Sequence, residues 1–302
     1  MTAASEHSAG PTRLSPPGEP LVSIGVPVRN GGRFLGEALD SLRGQSYRNL
    51  EIIISDNAST DHTAEVGLKY AALDSRIQYH RLPDDIGAPA NWNLVVRQAT
   101  GTYFKWASAN DRCAADFVAK CVARLQADPS KVLCYTRTVR SDDDGNAIDV
   151  VASDFACLSD TPNKRFAQIL FGLVMNNAQA GVIRTGALRQ TGLDRLYPQG
   201  DHVLMAELAL LGKFDLIEEP LFVRRVGEST FSHLLSVDDQ TTFFDPGRKR
   251  PFRALLWRRL FDTIKAASAL PLPRREKLAC YVLATRYCWL RRRILWRDLW
   301  AG

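Results

Sequence analysis

Residues 49–55 read NLEIIIS, an unbroken apolar run closed by a cluster of turn formers, DNASTD. A strand without polar alternation must be covered on both faces, the situation of a central strand in a parallel sheet. Parallel neighbours need a crossover of a dozen or more residues, normally a helix, and that crossover is right-handed. The flanking sequence meets the requirement. Residues 21–28 (LVSIGVPV) read as a strand and 33–44 as a helix, with apolar side chains at 34, 35, 38, 39 and 42. A second helix is expected at 62–72, then a strand at 76–82, a helix at 87–99 and a strand at 102–108. A helix at 114–127 and a strand at 131–139 follow, the strand turned by DDDGN at 142–146. This alternation predicts an α/β fold: a Rossmann-like, mostly parallel sheet with helices on both faces.

After residue 150 the rhythm loosens. Helices are expected at 163–174 and 201–212, with short strands near 180–184 and 214–224. Two amphipathic helices, about 251–268 and 273–298, are split by Pro271-Leu272-Pro273. Residues 1–20 are polar and rich in Pro, Gly and Ser, which reads as a disordered tail without the apolar stretch of a secretory signal. No run of 18 apolar residues suggests a membrane-spanning helix. The six cysteines (113, 121, 134, 157, 280, 288) form no CxxC pair and no metal spacing, so reduced core thiols are expected. Charge is unevenly spread. Residues 246–302 hold 15 Lys/Arg against 3 Asp/Glu, leaving 24 basic against 30 acidic residues elsewhere. A basic extension on an acidic body points to an anionic partner.

Ligands of open α/β sheets bind beyond the carboxyl ends of the strands. Polar clusters fall at those ends: Pro27-Val28-Arg29-Asn30, Asp56-Asn57, Asp84-Asp85 and Ser108-Ala109-Asn110-Asp111. A further candidate is Gly200-Asp201, which opens the helix HVLMAELALLG. The first turn has neither G-x-G-x-x-G nor G-x-x-x-x-G-K-[ST], which disfavours a dinucleotide dehydrogenase and a P-loop enzyme.

The stretch VSIGVPVRNGGRFLGEALDSLRGQSYRNLEIIISDNASTDHTAEV resembles the nucleotide-sugar half of family 2 glycosyltransferases of the GT-A fold. The resemblance continues through IGAPANWNLVVRQATGTYFKWASANDRCAADFV and GDHVLMAELALLGKFDLIEEPLFVRRVGEST, covering roughly residues 21–235. It implies a GT-A domain at 21–240, with a nucleotide-sugar half at 21–112 and an acceptor half at 113–240, followed by a basic helical extension at 241–302. Asp56 matches the carboxylate that accepts the N–H of the base, usually uracil, and a carboxylate is acceptor-only. Its plainer reading is a turn or cap residue. Pro27, Arg29, Asn30, Asn57 and Asn110 would line the same pocket. Ser108-Ala109-Asn110-Asp111 falls where the family carries an Asp-rich metal motif. Ser and Asn replace the first acidic positions, leaving Asp111 for Mg²⁺ or Mn²⁺, or else as a helix cap. Asp201 matches the catalytic base, again with an N-cap as the bland alternative. Arg224, Arg225 and His233 are candidates for reaching the diphosphate or an anionic acceptor. Trp92 and Trp106 read as core, and Asp142–Asp144 as a solvated hairpin turn.

The resemblance implies an inverting transfer from a nucleoside diphosphate sugar, with UDP-sugars favoured, to a hydroxyl of a glycan, glycolipid or lipid-linked saccharide, as in polysaccharide and cell-envelope biosynthesis. The rivals are a non-catalytic sugar-nucleotide-binding protein of the same fold and a sugar nucleotidyltransferase. The helices over 251–302 either pack on the body exposing Arg or make peripheral membrane contact. A cytoplasmic chain, with any such contact at the inner face of the membrane, is expected. No nucleic-acid recognition motif accompanies the basic residues.

Overall fold

The computed structural model describes residues 19–227 and 237–300, so most of the expected N-terminal tail and His233 lie outside the described residues. The first half follows the expected alternation: β1 (Val22–Val28), α1 (Gly32–Arg43), β2 (Leu50–Asp56), α2 (Thr63–Leu73), β3 (Ile77–Arg81), α3 (Ala88–Gln98) and β4 (Tyr103–Trp106). Then come β5 (Arg112–Cys113), α4 (Phe117–Ala127), β6 (Lys131–Ser141), β7 (Ala147–Val150) and α5 (Pro162–Gly172). After a short 3₁₀ turn at Ala178–Ala180 follow β8 (Val182–Arg184), α6 (Thr185–Leu188), α7 (Gly200–Leu211) and β9 (Lys213–Arg225). The chain closes with α8 (Val237–Phe244), α9 (Leu255–Ala269) and α10 (Arg274–Trp300).

The strands form one sheet in the order β3-β2-β1-β4-β8-β6-β9-β5, with β7 paired to β6. β3, β2, β1 and β4 are all parallel, with Val28 beside Asp56 and Gly25 beside Trp106. The second half is more mixed than the sequence suggests. β8 runs antiparallel between β4 and β6, β9 is parallel to β6, and β5 is antiparallel to β9. The helix expected from 114 begins only at Phe117, because Arg112 and Cys113 pair with β9 and the Ala114 N–H bonds the Leu221 carbonyl.

Both faces of the parallel block are covered. Ile52 and Ile54 point into a core shared with α1 and α4, whereas Ile53 points into a second core shared with α3, α5 and α7. Lys105 on β4 is wholly buried. Its ammonium donates to the carbonyls of Trp106 and Ala180 and lies 4.5 Å from the Phe117 ring centroid. Burial lowers its pKa. Trp106 is core, its indole N–H donating to the Trp92 carbonyl at 3.0 Å. The cysteines are unpaired, and all but Cys288 are buried. At 142–146 the hairpin turn is half-exposed, with Gly145 at φ 88° and Asp142 accepting the Asn146 N–H.

The C-terminal helices belong to the body. α9 packs on α7, and α10 packs on α5 and α9. Glu276 accepts the Asn163 N–H at 3.0 Å in the first turn of α5, and Asp298 accepts the Leu256 N–H at 2.9 Å at the start of α9. No helix among the described residues is long and apolar enough to cross a membrane.

α3 lies so close on β1 that a Cβ at Gly25 would meet Val95 Cγ2 at 2.6 Å and the Phe104 ring at 2.9 Å. Neither neighbour can swing away, so Gly25→Ala should cost about 1–3 kcal/mol. Urea unfolding should show a lower midpoint at unchanged slope, and an unshifted midpoint would contradict this packing.

Candidate active site

Four parallel strands ending at one edge bring their following loops together, and side chains then tie those loops. The Asn30 N–H donates to Ser59 Oγ at 2.9 Å, and Asn30 Oδ1 accepts the Thr60 N–H at 2.8 Å. The Gly31 N–H donates to Thr63 Oγ1 and the Gly32 N–H to Asp61 Oδ2, both at 3.0 Å. Asn30 sits at φ 51°, in the left-handed region that Asn tolerates better than most residues. Gly31 passes so near the next turn that a Cβ would stand 3.1 Å from Ala109. Pro27 is buried within β1, beside Ser55 of β2.

Asp56 ends β2 and is fully buried. Its Oδ1 accepts the Ser59 N–H at 2.8 Å and its Oδ2 the Tyr79 hydroxyl at 2.6 Å. Burial and this carboxylate together raise the Tyr79 pKa, so the phenol keeps its proton. Asn57 Nδ2 donates to Asp85 Oδ1 at 2.6 Å, and Asp85 Oδ2 lies 3.2 Å from Arg29 Nε. Arg29, Asn57 and Asp85 therefore form one polar cluster across the ends of β1, β2 and β3. Asp84-Asp85 thus does more than face solvent: its second carboxylate joins the three loops.

Asp111 caps no helix, since α4 begins six residues later with Asp116 at its N-cap. Its Oδ1 accepts the Arg225 N–H at 3.0 Å. Burial pushes the Asp111 carboxyl up to about 6, against the pull of Arg224, the Arg225 N–H and Lys105. Ser108 Oγ donates to Asn110 Oδ1, so the two residues at the replaced acidic positions satisfy each other. Arg225 is only 3% exposed. It pairs with Glu37 at 2.8 Å, donates to the Asn110 and Asp143 carbonyls, and lies 3.9 Å from the Phe34 ring centroid. The expectation that its side chain reaches a ligand is corrected: its guanidinium is committed beneath the 110–111 turn.

Asp201 lies in the first turn of α7, whose N-cap is Gln199. It is held from the side by Asn176, whose Nδ2 donates to Asp201 Oδ2 at 2.9 Å. Asn176 belongs to a short segment, NNAQ at 176–179, in which three side chains act in different directions. Asn177 Nδ2 donates to Asp154 Oδ1 at 2.9 Å, and Asn177 Oδ1 accepts Arg224 Nη1 at 2.8 Å. Gln179 Nε2 donates to Asp194 Oδ2 at 2.9 Å, while its Oε1 faces Asn176 Nδ2 at 3.2 Å. A bonded path thus runs from Asp111 through the Arg224–Arg225 main chain, Asn177 and Asn176 to Asp201. Arg224 stands within that path.

Sequence reading missed Asn176, Asn177, Gln179, Asp154 and Asp194. The available signal was three polar residues within four positions, NNAQ, set between the apolar LVM and AGVI. Among the described residues no group of three or more His, Cys, Asp or Glu side chains could hold a metal ion. What the site offers a cation is one desolvated carboxylate, and that donor set fits Mg²⁺ or Mn²⁺ only with phosphate oxygens and water completing the shell.

The fold is that of GT-A glycosyltransferases. Residues 1–349 of TarS from S. aureus superpose with a TM-score of 0.62 at 15% identity, covering 89% of this chain and 71% of that one. A mannosyltransferase from Pyrobaculum calidifontis, solved with GDP-Man and Mn²⁺, superposes at 0.50 with 17% identity over 93% of this chain and 78% of that one. The family model for glycosyl transferase family 2 matches residues 23–188, and the chain belongs to that family. An uncharacterised glycosyltransferase of Rickettsia typhi is 36% identical over 92 residues, 30% of this chain and 28% of that protein. Glycosyltransferase GlyG of Streptococcus pneumoniae is 25% identical over 140 residues, 46% of each chain. The matched stretch thus spans less than half the length of these two curated relatives.

Asp194 is buried, its Oδ1 has no hydrogen-bond partner among the described residues, and burial with the neighbouring charge of Asp201 pushes its pKa up to about 8. Unfolded, an Asp titrates near 4. Between about pH 4 and 8 the native state therefore binds more protons than the unfolded one, and stability falls as pH rises through that window. Asp194→Asn imitates the protonated acid, keeping an acceptor for Gln179. Its stability should change less between pH 5 and pH 8 than that of the parent, by on the order of a few kcal/mol. Parallel denaturation curves at both pH values in the two proteins would refute a protonated Asp194.

Proposed function

We propose that the protein is an inverting glycosyltransferase, moving a sugar from a nucleoside diphosphate sugar to a hydroxyl of a glycan, glycolipid or lipid-linked saccharide. The observation that carries this reading is the bonded path between Asp111 and Asp201, two carboxylates far apart in sequence that the 176–179 segment and Arg224 tie into one constellation. Membership of glycosyl transferase family 2 supports the reaction class. TarS has been solved with UDP and with UDP-GlcNAc, which favours a uridine donor here.

Asp201 acts as general base. A sugar hydroxyl is a weak nucleophile until its proton is taken, and a carboxylate beside it contributes about 10²–10⁴-fold. The Asn176 amide fixes one carboxylate oxygen and leaves the other to meet the acceptor. Attack from the side opposite the leaving diphosphate inverts the anomeric carbon. Asp111 would hold Mg²⁺ or Mn²⁺, which supplies positive charge for the diphosphate when bound. Arg224, oriented by Asn177, adds a second cationic group on the same side. Asp56 retains lone pairs beyond those used by Ser59 and Tyr79, and accepts the imide N–H of the base. Arg29, Asn57 and Asp85 form the wall of the nucleoside pocket. The GT-A domain at 21–240 divides into donor and acceptor halves at about residue 112.

A thermal-shift panel of UDP-, GDP- and dTDP-sugars with and without Mn²⁺ should identify the donor, and turnover with that donor tests the class. Binding without transfer to any hydroxyl acceptor would favour the non-catalytic rival, and sugar-nucleotide synthesis from a nucleoside triphosphate the nucleotidyltransferase. Asp201→Asn should lower transfer at least about 100-fold with donor binding retained, and undiminished turnover would remove Asp201 from the role. Asp111→Ala should abolish the Mn²⁺-dependent part of the thermal shift, and an unchanged metal titration would count against it.

A further inference from the structure

α10 buries Cys280, Ala284, Tyr287 and Leu295 against the body, yet its outer face is not the polar surface that such a helix normally shows water. Leu278, Val282, Trp289 and Trp296 are 63%, 61%, 65% and 63% exposed. At about 100° per residue these four fall within about 40° of one another, making a single stripe along the helix. Arg286 and Arg293 border the stripe on one side and Arg292 on the other. The Arg292 guanidinium lies 4.9 Å from the Trp289 ring centroid.

The charges around the stripe are of one sign in effect. α10 carries eight Lys/Arg and two acids, Glu276 and Asp298. Both acids are turned inward to bond the first-turn N–H groups of α5 and α9. What the helix presents outward is therefore apolar side chains edged by cations that have no acidic partner among the described residues. A second copy of this helix would bring like charges together. A nucleic acid would satisfy the arginines but leave two tryptophans and two aliphatic side chains without an apolar phase. An anionic lipid surface satisfies both, since Trp rings settle at the headgroup level and Arg stems reach up to phosphate.

We propose that the outer face of α10 is a docking surface for anionic phospholipid, through Leu278, Val282, Trp289 and Trp296 with Arg286, Arg292 and Arg293. The helix lies in the plane of the interface along its length of about 40 Å and does not cross the bilayer. This assignment stands independently of the transferase reading, because no residue of the stripe takes part in the site.

The full chain is to be floated with vesicles of phosphatidylglycerol and phosphatidylcholine, and with vesicles of phosphatidylcholine alone. Binding should favour the anionic vesicles at least about tenfold, weaken as salt is raised, and blue-shift tryptophan emission. Trp289→Ala with Trp296→Ala should reduce binding about tenfold or more, and Arg292→Glu with Arg293→Glu should remove the preference for anionic lipid. All these side chains are surface groups, and an unchanged melting temperature checks that the fold survives. Equal recovery of parent and variants with anionic vesicles would overturn the proposal. So would a dimer in lipid-free solution that the tryptophan substitutions dissociate, or displacement of the protein from vesicles by a short oligonucleotide.

Discussion

The double-sided burial of β1, β2 and β4 is the constraint on which the rest depends. Once helices cover both faces, the carboxyl edge of the strands is where polar loops can gather. The loops there cannot be independent, because each carries main-chain N–H groups that need partners. Hence Asn30 bonds the 59–60 loop, Asp61 bonds Gly32, and Asp85 bonds both Asn57 and Arg29. A rigid rim results, with Gly31 narrow enough to let the first loop touch the turn carrying Asp111.

Within that rim the carboxylates are treated unequally. Asp56 is given two donors, the Ser59 N–H and the Tyr79 hydroxyl. Asp111 is half-buried against a single main-chain N–H, and its acidity is weakened accordingly. Asp194 is buried beside the charge of Asp201, with one oxygen unpartnered among the described residues, and is weakened further. Two carboxyl groups brought together in low dielectric do not both ionise readily, so the proton is retained on Asp194, the more buried of the two. The 176–179 segment makes this possible by bonding each of them with an amide rather than a charge.

The strand–helix alternation was legible because apolar periodicity is local, and NLEIIIS was read as doubly covered because three consecutive isoleucines leave no polar face. Asp56, Asp111 and Asp201 could be named as candidates because each falls at or just beyond a strand end or opens a helix. Mixed pairing in the second half was not legible. β5 has only two residues and β8 three, too short for a signal of direction, which is set by distant partners: Arg112 pairs with Val223, and Tyr103 with Arg184. Arg225 could not be told from Arg224 in sequence, although one is committed beneath a turn and the other faces Asn177. That difference arises from the alternation of side chains along β9, which places neighbours on opposite faces of the sheet.

The C-terminal helices also bear on the site itself. Gln199, which caps α7 two residues before Asp201, has φ 65°, a conformation that costs a non-glycine residue about 1 kcal/mol or more. It is held there by Arg259 of α9, whose Nη1 donates to Gln199 Oε1 at 2.5 Å and whose Nη2 donates to the Tyr287 hydroxyl of α10 at 2.8 Å. Tyr197 in the same loop donates to Asp262 of α9 at 2.6 Å and lies under the Arg258 guanidinium. Removing α9 and α10 would therefore free the loop that leads into α7 and Asp201. The inner face of these helices supports the loop before Asp201 while Trp289 and Trp296 of α10 stay exposed, so the two faces are separated by substitution of exposed side chains and not by truncation.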